Sequence, residues 1–279
     1  MNVAVTGASG FIGRRAVEFL TSRGHIVRGI SLRSAPTPDL FTGCDAVVHL
    51  AGESVAQRWT ASARRRILES RVEGTRALIR SLRMQPPNVL VSASGVGYYG
   101  DSGDRILTEQ SPPGNDFVTE VTSAWEHEAR EAEKLGTRVV CLRIGTVLGR
   151  GGGALEKMLL PFRLGVGGRL GPGRQWMSWI HMDDLCSLID FALPESTLRG
   201  VLNAVSPHPV TNAEFTRALA HALHRPAILP VPAFALRLMF DGMAEMLLGS
   251  QRAIPEAATA AGFEFRYPEI SAALIQIFS

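Results

Sequence analysis

Hydrophobic and polar positions change period along this chain, and the changes mark out its elements. Val3-Ala-Val-Thr6 is a β-branched run ending at Gly7, and from Phe11 to Arg23 apolar positions recur at helical spacing until Gly24 stops them. A second strand follows from His25 to Ser31. The segment Leu32 to Cys44 contains Pro36 and Pro38 and is too short for a helix plus a strand, so the next strand is Asp45 to Gly52. A long helix from Thr60 to Arg83 is closed by Pro86-Pro87. The strand Asn88 to Ser94 then leads into a polar loop from Gly95 to Asn115, a helix from about Asp116 to Leu135, and the strand Thr137 to Arg143. Strands alternating with helices predict a doubly wound parallel α/β sheet. In the usual order 3-2-1-4-5-6 the third strand is an edge, so the short 32–44 segment trims the sheet without cutting it.

From Gly149 the composition shifts. Gly151 to Gly153 and the run Gly165 to Gly173 read as flexible loops, Trp179-Ile-His181 returns to the sheet, and a helix begins near Asp183, whose side chain is its expected cap. Gly200 to Ser206 is a last strand. The tail from Pro207 is mostly helical: Thr211 to Glu214 reads as a capping box for a helix reaching His224, and an apolar helix spans Pro232 to Leu248.

The strongest local signal is Thr6-Gly-Ala-Ser-Gly-Phe-Ile-Gly13, placed between a strand and an amphipathic helix. Gly7 suits a tight turn, Gly10 lets a pyrophosphate approach bare backbone, and Gly13 lets the helix pack on the strand, while the helix amides face the phosphate. The alternative is a glycine-rich turn that merely packs. This context predicts a Rossmann dinucleotide-binding domain over 1–206, with 150–177 on the substrate side. A small C-terminal domain, 207–279, would close over the carboxyl ends of the strands. Sites for NAD place an acid at the end of the second strand; here stand Ser31 and Arg33, which favours NADP because guanidinium pairs with phosphate. The alternative leaves Arg33 in solvent.

Composition excludes several other classes. With 279 residues, 46% hydrophobic, one large domain and an appendage are affordable, and the net charge of +3 is carried by arginine, Lys134 and Lys157 being the only lysines. Arg64, Arg65 and Arg66 form a local basic patch, read as facing a cofactor phosphate rather than nucleic acid. Cys44, Cys141 and Cys186 are far apart and suit reduced thiols, and His221 and His224, on one helix face, lack a third ligand, so no metal site is expected. The chain opens inside a strand, and its most apolar stretch, Ala233 to Leu248, is interrupted by Arg237, Asp241 and Glu245. A cytoplasmic protein with a small-molecule substrate and no membrane partner, monomer or homodimer, is expected.

Together with His49-Leu-Ala-Gly52, Ser92-Ala-Ser94 ahead of Tyr99-Gly100, Leu142-Arg143 ahead of Gly149, and Ile180-His-Met-Asp-Asp184, the glycine motif resembles an extended short-chain dehydrogenase/reductase. Leu50-Ala-Gly-Glu53, Ser70-Arg-Val72, Val96-Gly-Tyr-Tyr99, Gly151-Gly-Gly-Ala154, Gln175-Trp176, Thr211-Asn-Ala-Glu-Phe215 and Gly262-Phe-x-Phe-Arg-Tyr-Pro268 narrow the resemblance. They are similar to the NAD-dependent epimerase/dehydratase-like branch called epimerase family protein, also labelled a cell-division inhibitor. The resemblance spans essentially the whole chain, and it implies NADP(H) binding, the epimerase label itself being fold-level analogy. It assigns Gly7, Ser9, Gly10, Phe11, Ile12 and Gly13 to the pyrophosphate, and Ser31 to the ribose phosphate, with Leu32 interposed before Arg33. Leu50, Ala51 and Gly52 fall on the adenine-ribose side, Arg71 at a cofactor contact in place of the usual asparagine, and Val147 near the nicotinamide.

The chain departs from that family in its proton-transfer pair. Extended members use Tyr-x-x-x-Lys, in which the lysine lowers the phenol's pKa; here Val118 and Thr122 fall in those slots. Ser94 matches the active-site serine, and Tyr98 is the candidate proton donor or, alternatively, an aromatic lid on the nicotinamide. Glu53 and Glu120 are further acid candidates or plain capping carboxylates, His181 a structural histidine, and Arg174, Gln175 and Trp176 candidate pocket residues. The leading expectation is an NADPH-dependent reductase of a small carbonyl. The rival is a non-catalytic NADPH-binding sensor, with nucleotide-sugar epimerisation behind both.

Overall fold

The structure is a computed structural model that describes every residue except Ser196. In chain order its first half comprises β1 (Asn2–Thr6), α1 (Phe11–Ser22), β2 (Ile26–Ile30), β3 (Ala46–His49), α2 (Ala61–Leu82), β4 (Val89–Gly95), β5 (Ile106–Leu107), α3 (Phe117–Arg130) and β6 (Arg138–Ile144). The second half continues with β7 (Thr146–Leu148), α4 (Gly153–Arg163), β8 (Trp176–Met177), β9 (Trp179–His181), α5 (Met182–Ala192), β10 (Gly200–Ala204) and β11 (Val210–Thr211). After these come α6 (Asn212–Ala222), α7 (Ala233–Phe240), α8 (Met243–Leu248), β12 (Arg252–Ala253), α9 (Glu256–Ala260) and α10 (Ile270–Phe278).

Six strands form one parallel sheet in the order β10-β6-β4-β3-β1-β2. This is the doubly wound order with its outermost third strand removed, as the short 32–44 segment predicts; a single 3-10 turn, Pro38–Phe41, occupies that place. Helices cover both faces, so residues of the inner strands β1, β3, β4 and β6 are buried almost whichever way they point, while the edge strand β2 exposes Ile26 and Arg28. Val3, Val5, Ala46 and Val48 pack with Ala16 and Leu20 of α1 and Leu185, Leu188 and Ile189 of α5. Ala4, Val47 and Leu90 face Leu78, Ile79 and Leu82 of α2 and Ala129 of α3 on the other side. The tail enters this arrangement, because Ala258 of α9 and Phe263 join the α1/α5 layer.

Several elements differ from the sequence pattern. Residues 153–163, which the sequence pattern leaves unassigned between two glycine loops, form α4, which buries Leu155, Leu159 and Phe162 against Phe215 and Leu219 of α6 and Leu274 of α10. Trp179 to His181 does not rejoin the large sheet; β9 pairs with β7 in a separate two-stranded one. The cap of α5 is His181, whose Nδ1 accepts the Asp183 amide at 3.1 Å, while the Asp183 carboxylate turns to Arg15 at 2.8 Å. The apolar 232–248 helix is two helices, broken at Asp241, which holds φ +52°, and Gly242. The helix after Asp116 ends at Arg130 and continues to Leu135 as 3-10 turn. His224 lies beyond the end of α6 at φ +51° rather than on its face.

Candidate functional site

The amino end of α1 is bare backbone. Gly7 follows β1 at φ +71°, and a Cβ there would lie 2.8 Å from the Ala51 nitrogen, so the turn admits only glycine. A Cβ on Gly13 would sit 2.1 Å from the Gly7 oxygen, which is how closely the helix packs on the turn. Gly10 is the N-cap, its amide donates to the Gly7 oxygen at 2.9 Å, and no side chain caps the helix. The amides of Phe11, Ile12 and Gly13 are thereby left for an anion, beside exposed Ser9. This is a cradle that any side chain at Gly7 or Gly13 would fill, and it fits a dinucleotide pyrophosphate.

On either side of the cradle stand the other residues that the sequence pattern singles out. Ser31 and Arg33 are both exposed beyond β2 and share one turn, since the Arg33 amide donates to Ser31 Oγ at 3.3 Å. After β3, Leu50 and Ala51 are half-buried, and Gly52 lies against Arg71, where a Cβ would be 3.1 Å from the guanidinium carbon. Arg71 is buried, donates to the carbonyls of Glu53 and Ile67 at 3.0 and 3.1 Å, and lies 4.8 Å over the Trp125 ring. Burial pushes its pKa down to about 10, with Glu53 pulling the other way. Having no carboxylate bonded to it among the described residues, it is suited to an incoming anion. Beneath this loop His49 is fully buried between Thr6 Oγ1 at 2.7 Å and Thr75 Oγ1 at 2.9 Å, and burial together with Arg71 lowers its pKa to about 3.

The carboxyl end of β4 holds a network that sequence reasoning missed. Ser94 Oγ donates to Glu126 Oε1 at 2.7 Å, and Arg143 clasps the same carboxylate through Nε and Nη2 at 2.8 and 2.9 Å. Arg143 Nη1 also donates to Tyr99 Oη at 3.1 Å, and Tyr99 in turn donates to Asn203 Oδ1 at 2.7 Å. Both members of the ion pair are about 5% exposed or less. Burial alone would loosen the Arg143 proton, but the bonded Glu126 outweighs it and the pKa is raised. The guanidinium lies 3.3 Å over the Tyr98 ring, and Tyr98 is half-buried with no hydrogen bond to its hydroxyl among the described residues. Ser94 thus stands near the carboxyl end of β4 with its one proton given to Glu126.

The two slots of the missing base are filled by packing. A Cβ on Gly97 would meet Val118 Cγ1 at 2.3 Å, and Thr122 Oγ1 is turned back to the Val118 carbonyl at 2.8 Å. Val147 is 8% exposed, in the core beside Ile180 and Met182. Phe11 lies under the 152–153 turn, where a Cβ on either glycine would come within 2.6 Å of its ring. Of the remaining candidates, Glu120 and Arg174 are exposed and the others have partners within the fold. Glu53 accepts from Gln57 at 3.0 Å; His181 is the α5 cap and meets Gln276 at 2.9 Å; Gln175 donates to the Leu170 carbonyl at 3.1 Å; Trp176 donates to Asp104 at 2.8 Å. Arg64 lies over the rings of Trp59 and Phe117, while Arg65 and Arg66 point to Glu69 and Glu53. Among the described residues no cluster of three or more His, Cys, Asp or Glu could hold a metal ion.

A glycine cradle at the carboxyl end of a parallel sheet, with a serine at the end of the fourth strand, defines the extended short-chain dehydrogenase/reductase class. Comparison with known proteins agrees: a sequence profile of the NAD dependent epimerase/dehydratase family matches residues 3–204, and one for a domain of unknown function (DUF1731) matches 231–277. The chain belongs to the NAD-dependent epimerase/dehydratase family. The epimerase family protein SDR39U1 of Mus musculus is 40% identical over 98% of this chain and 98% of its own. The epimerase family protein YfhF of Bacillus subtilis (strain 168) is 36% identical over 100% of this chain and 98% of its own. The crystal structure of human SDR39U1 (isoform 2) with NADPH has a TM-score of 0.92 at 40% identity, covering 100% of this chain and 99% of that one.

Proposed function

We propose that the protein is an NADPH-dependent reductase of a small carbonyl or enone. The observation that carries this reading is a phenol with no bound partner: Tyr98 stands in the turn after β4 with no hydrogen bond to its hydroxyl among the described residues, while Val118 and Thr122 occupy the Tyr-x-x-x-Lys slots. Oxidising an alcohol needs a group that takes up a proton near neutrality, and the tyrosinate–lysine pair that serves extended enzymes is missing. Reducing a carbonyl needs only a proton donor, and a neutral phenol serves. The same asymmetry disfavours reversible sugar epimerisation.

The cradle of Gly7, Ser9, Gly10, Phe11, Ile12 and Gly13 would hold the pyrophosphate. Ser31 and Arg33 would hold the 2′-phosphate, Leu50, Ala51 and Gly52 would wall the ribose with Arg71 against them, and Val147 would approach from the nicotinamide side. No acid stands at the end of β2 to repel a 2′-phosphate, and the relative crystallised with NADPH supports the same cofactor. When bound, NADPH supplies the hydride. Tyr98 gives its proton to the substrate oxygen and regains one from solvent, while the Glu126–Arg143 pair fixes Ser94 and Tyr98 on one rigid wall.

A second reading, an NADPH-binding sensor without turnover, is favoured by the commitment of the Ser94 proton to Glu126. NADPH oxidation across a panel of aldehydes, ketones and enones separates the two. The reductase reading expects turnover that Tyr98→Phe lowers roughly a hundredfold with NADPH affinity unchanged; tight NADPH binding with no oxidation across the panel favours the sensor.

A further inference from the structure

The most apolar stretch of the sequence is only partly covered: Leu236, Met243 and Ala244 are buried, but Phe234, Leu238 and Met239 are exposed. Of the thirteen large apolar side chains exposed among the described residues, eight fall between residues 160 and 239. Leu160 of α4 and Leu164, one turn on at its C-cap, are 66% and 68% exposed; Phe234 and Leu238 are one turn apart on α7 at 72% and 78%. Between them the chain from Gly165 to Gly171 runs beside Pro226 to Val231, joined by the Val231 amide on the Arg169 carbonyl at 2.8 Å and the Gly171 amide on the Val231 carbonyl at 2.8 Å. Exposed Ile228 and Leu229 therefore lie on the segment that joins the end of α4 to the start of α7. The opposite side of α4 is already buried, so that helix is apolar on both faces, which water alone does not favour.

The charge around this face is mainly positive. Lys157, Arg163, Arg169, Arg174, Arg225 and Arg237 are all exposed within residues 153–174 and 224–245, against the exposed acids Glu156, Asp241 and Glu245, the last paired to Arg237. Those two segments carry net +3, the whole net charge of the chain. An aliphatic and aromatic face rimmed by arginine matches an interfacial membrane surface with anionic head groups. A second copy meeting it about a twofold axis would set like charges against each other.

We propose that the face formed by α4, residues 226–231 and α7 docks on an anionic lipid bilayer. It lies on the bilayer rather than spanning it, since no helix among the described residues is long and apolar enough to cross. The α4 turn rests on Phe11 of the cradle, so the docked face adjoins the cofactor site. This goes against the expectation of no membrane partner and is independent of the proposed reaction.

Flotation of the full-length protein with vesicles tests it without cofactor or substrate. The protein should float with vesicles containing phosphatidylglycerol and stay behind with pure phosphatidylcholine. Leu238→Asp combined with Phe234→Asp should lower the bound fraction at least tenfold at an unchanged melting temperature, since both side chains already face water. Arg163→Gln should lower partitioning roughly fivefold, the contribution of one basic residue near an anionic surface. Equal recovery with the two vesicle types, or binding that survives these substitutions, overturns the proposal. So does a dimer in solution that the same substitutions dissociate, which would make the occupant a second copy.

Discussion

Acidification from pH 7.5 to pH 5 is expected to cost the protein about 2 kcal/mol through one side chain, His49. The imidazole is wholly buried between Thr6 and Thr75, and its pKa falls from the usual 6.5 to about 3 because burial, and then Arg71, oppose its charge. A histidine with a lowered folded pKa contributes stability above 6.5, and that contribution drains away as the pH falls toward 3, because only the unfolded chain takes up the proton. At pH 7.5 almost no unfolded histidine is protonated; at pH 5 nearly all of it is, which gives the stated difference. His49→Gln preserves a neutral side chain able to bridge the two threonines but removes the titration. Urea unfolding of both proteins at the two pH values isolates the effect, since carboxylates and the other six histidines cancel. The wild type should lose about 2 kcal/mol more than the variant. Equal losses would refute the assignment of a neutral, proton-excluding His49 to this site.

Two further outcomes test the packing around the site. Glu126→Ala leaves Arg143 buried and unpaired at the end of β6, and urea titration should show a loss of about 3–5 kcal/mol; a loss under 1 kcal/mol would mean that water reaches the pair. Gly13→Ala sets a methyl 2.1 Å from the Gly7 oxygen, so the β1–α1 turn must shift, and calorimetric melting should show about 1–3 kcal/mol of destabilisation together with weakened nucleotide binding.

The cradle was readable because its requirement is local: the positive φ of Gly7 and the close approach at Gly13 are met only by glycine, and the residues lie within seven positions of one another. The parallel sheet was readable for a related reason, since strands buried on both faces leave apolar runs that helices must cover. What escaped depends on distant partners. The helix α4 carries Pro161 and starts in a glycine run, and what forms it is burial of Leu155, Leu159 and Phe162 against α6 and α10. The pairing of β9 with β7 and the break at Asp241 likewise follow from tertiary packing. The Ser94–Glu126–Arg143 network joins three elements across 32 and 17 residues. Its one signal in the sequence was a charged Arg143 directly after the apolar run Val139 to Leu142 of β6, which a buried acid on a neighbouring helix had to match.

Titration calorimetry with NADPH and with NADH on the purified protein bears most directly on the central claim, that the Gly7 to Gly13 cradle and the Ser31/Arg33 turn grip a 2′-phosphorylated dinucleotide. NADPH should bind at least tenfold tighter than NADH, with binding abolished by Gly10→Glu and reduced to the NADH level by Arg33→Ser. Absence of heat with both nucleotides, or binding that Gly10→Glu leaves unchanged, would contradict it.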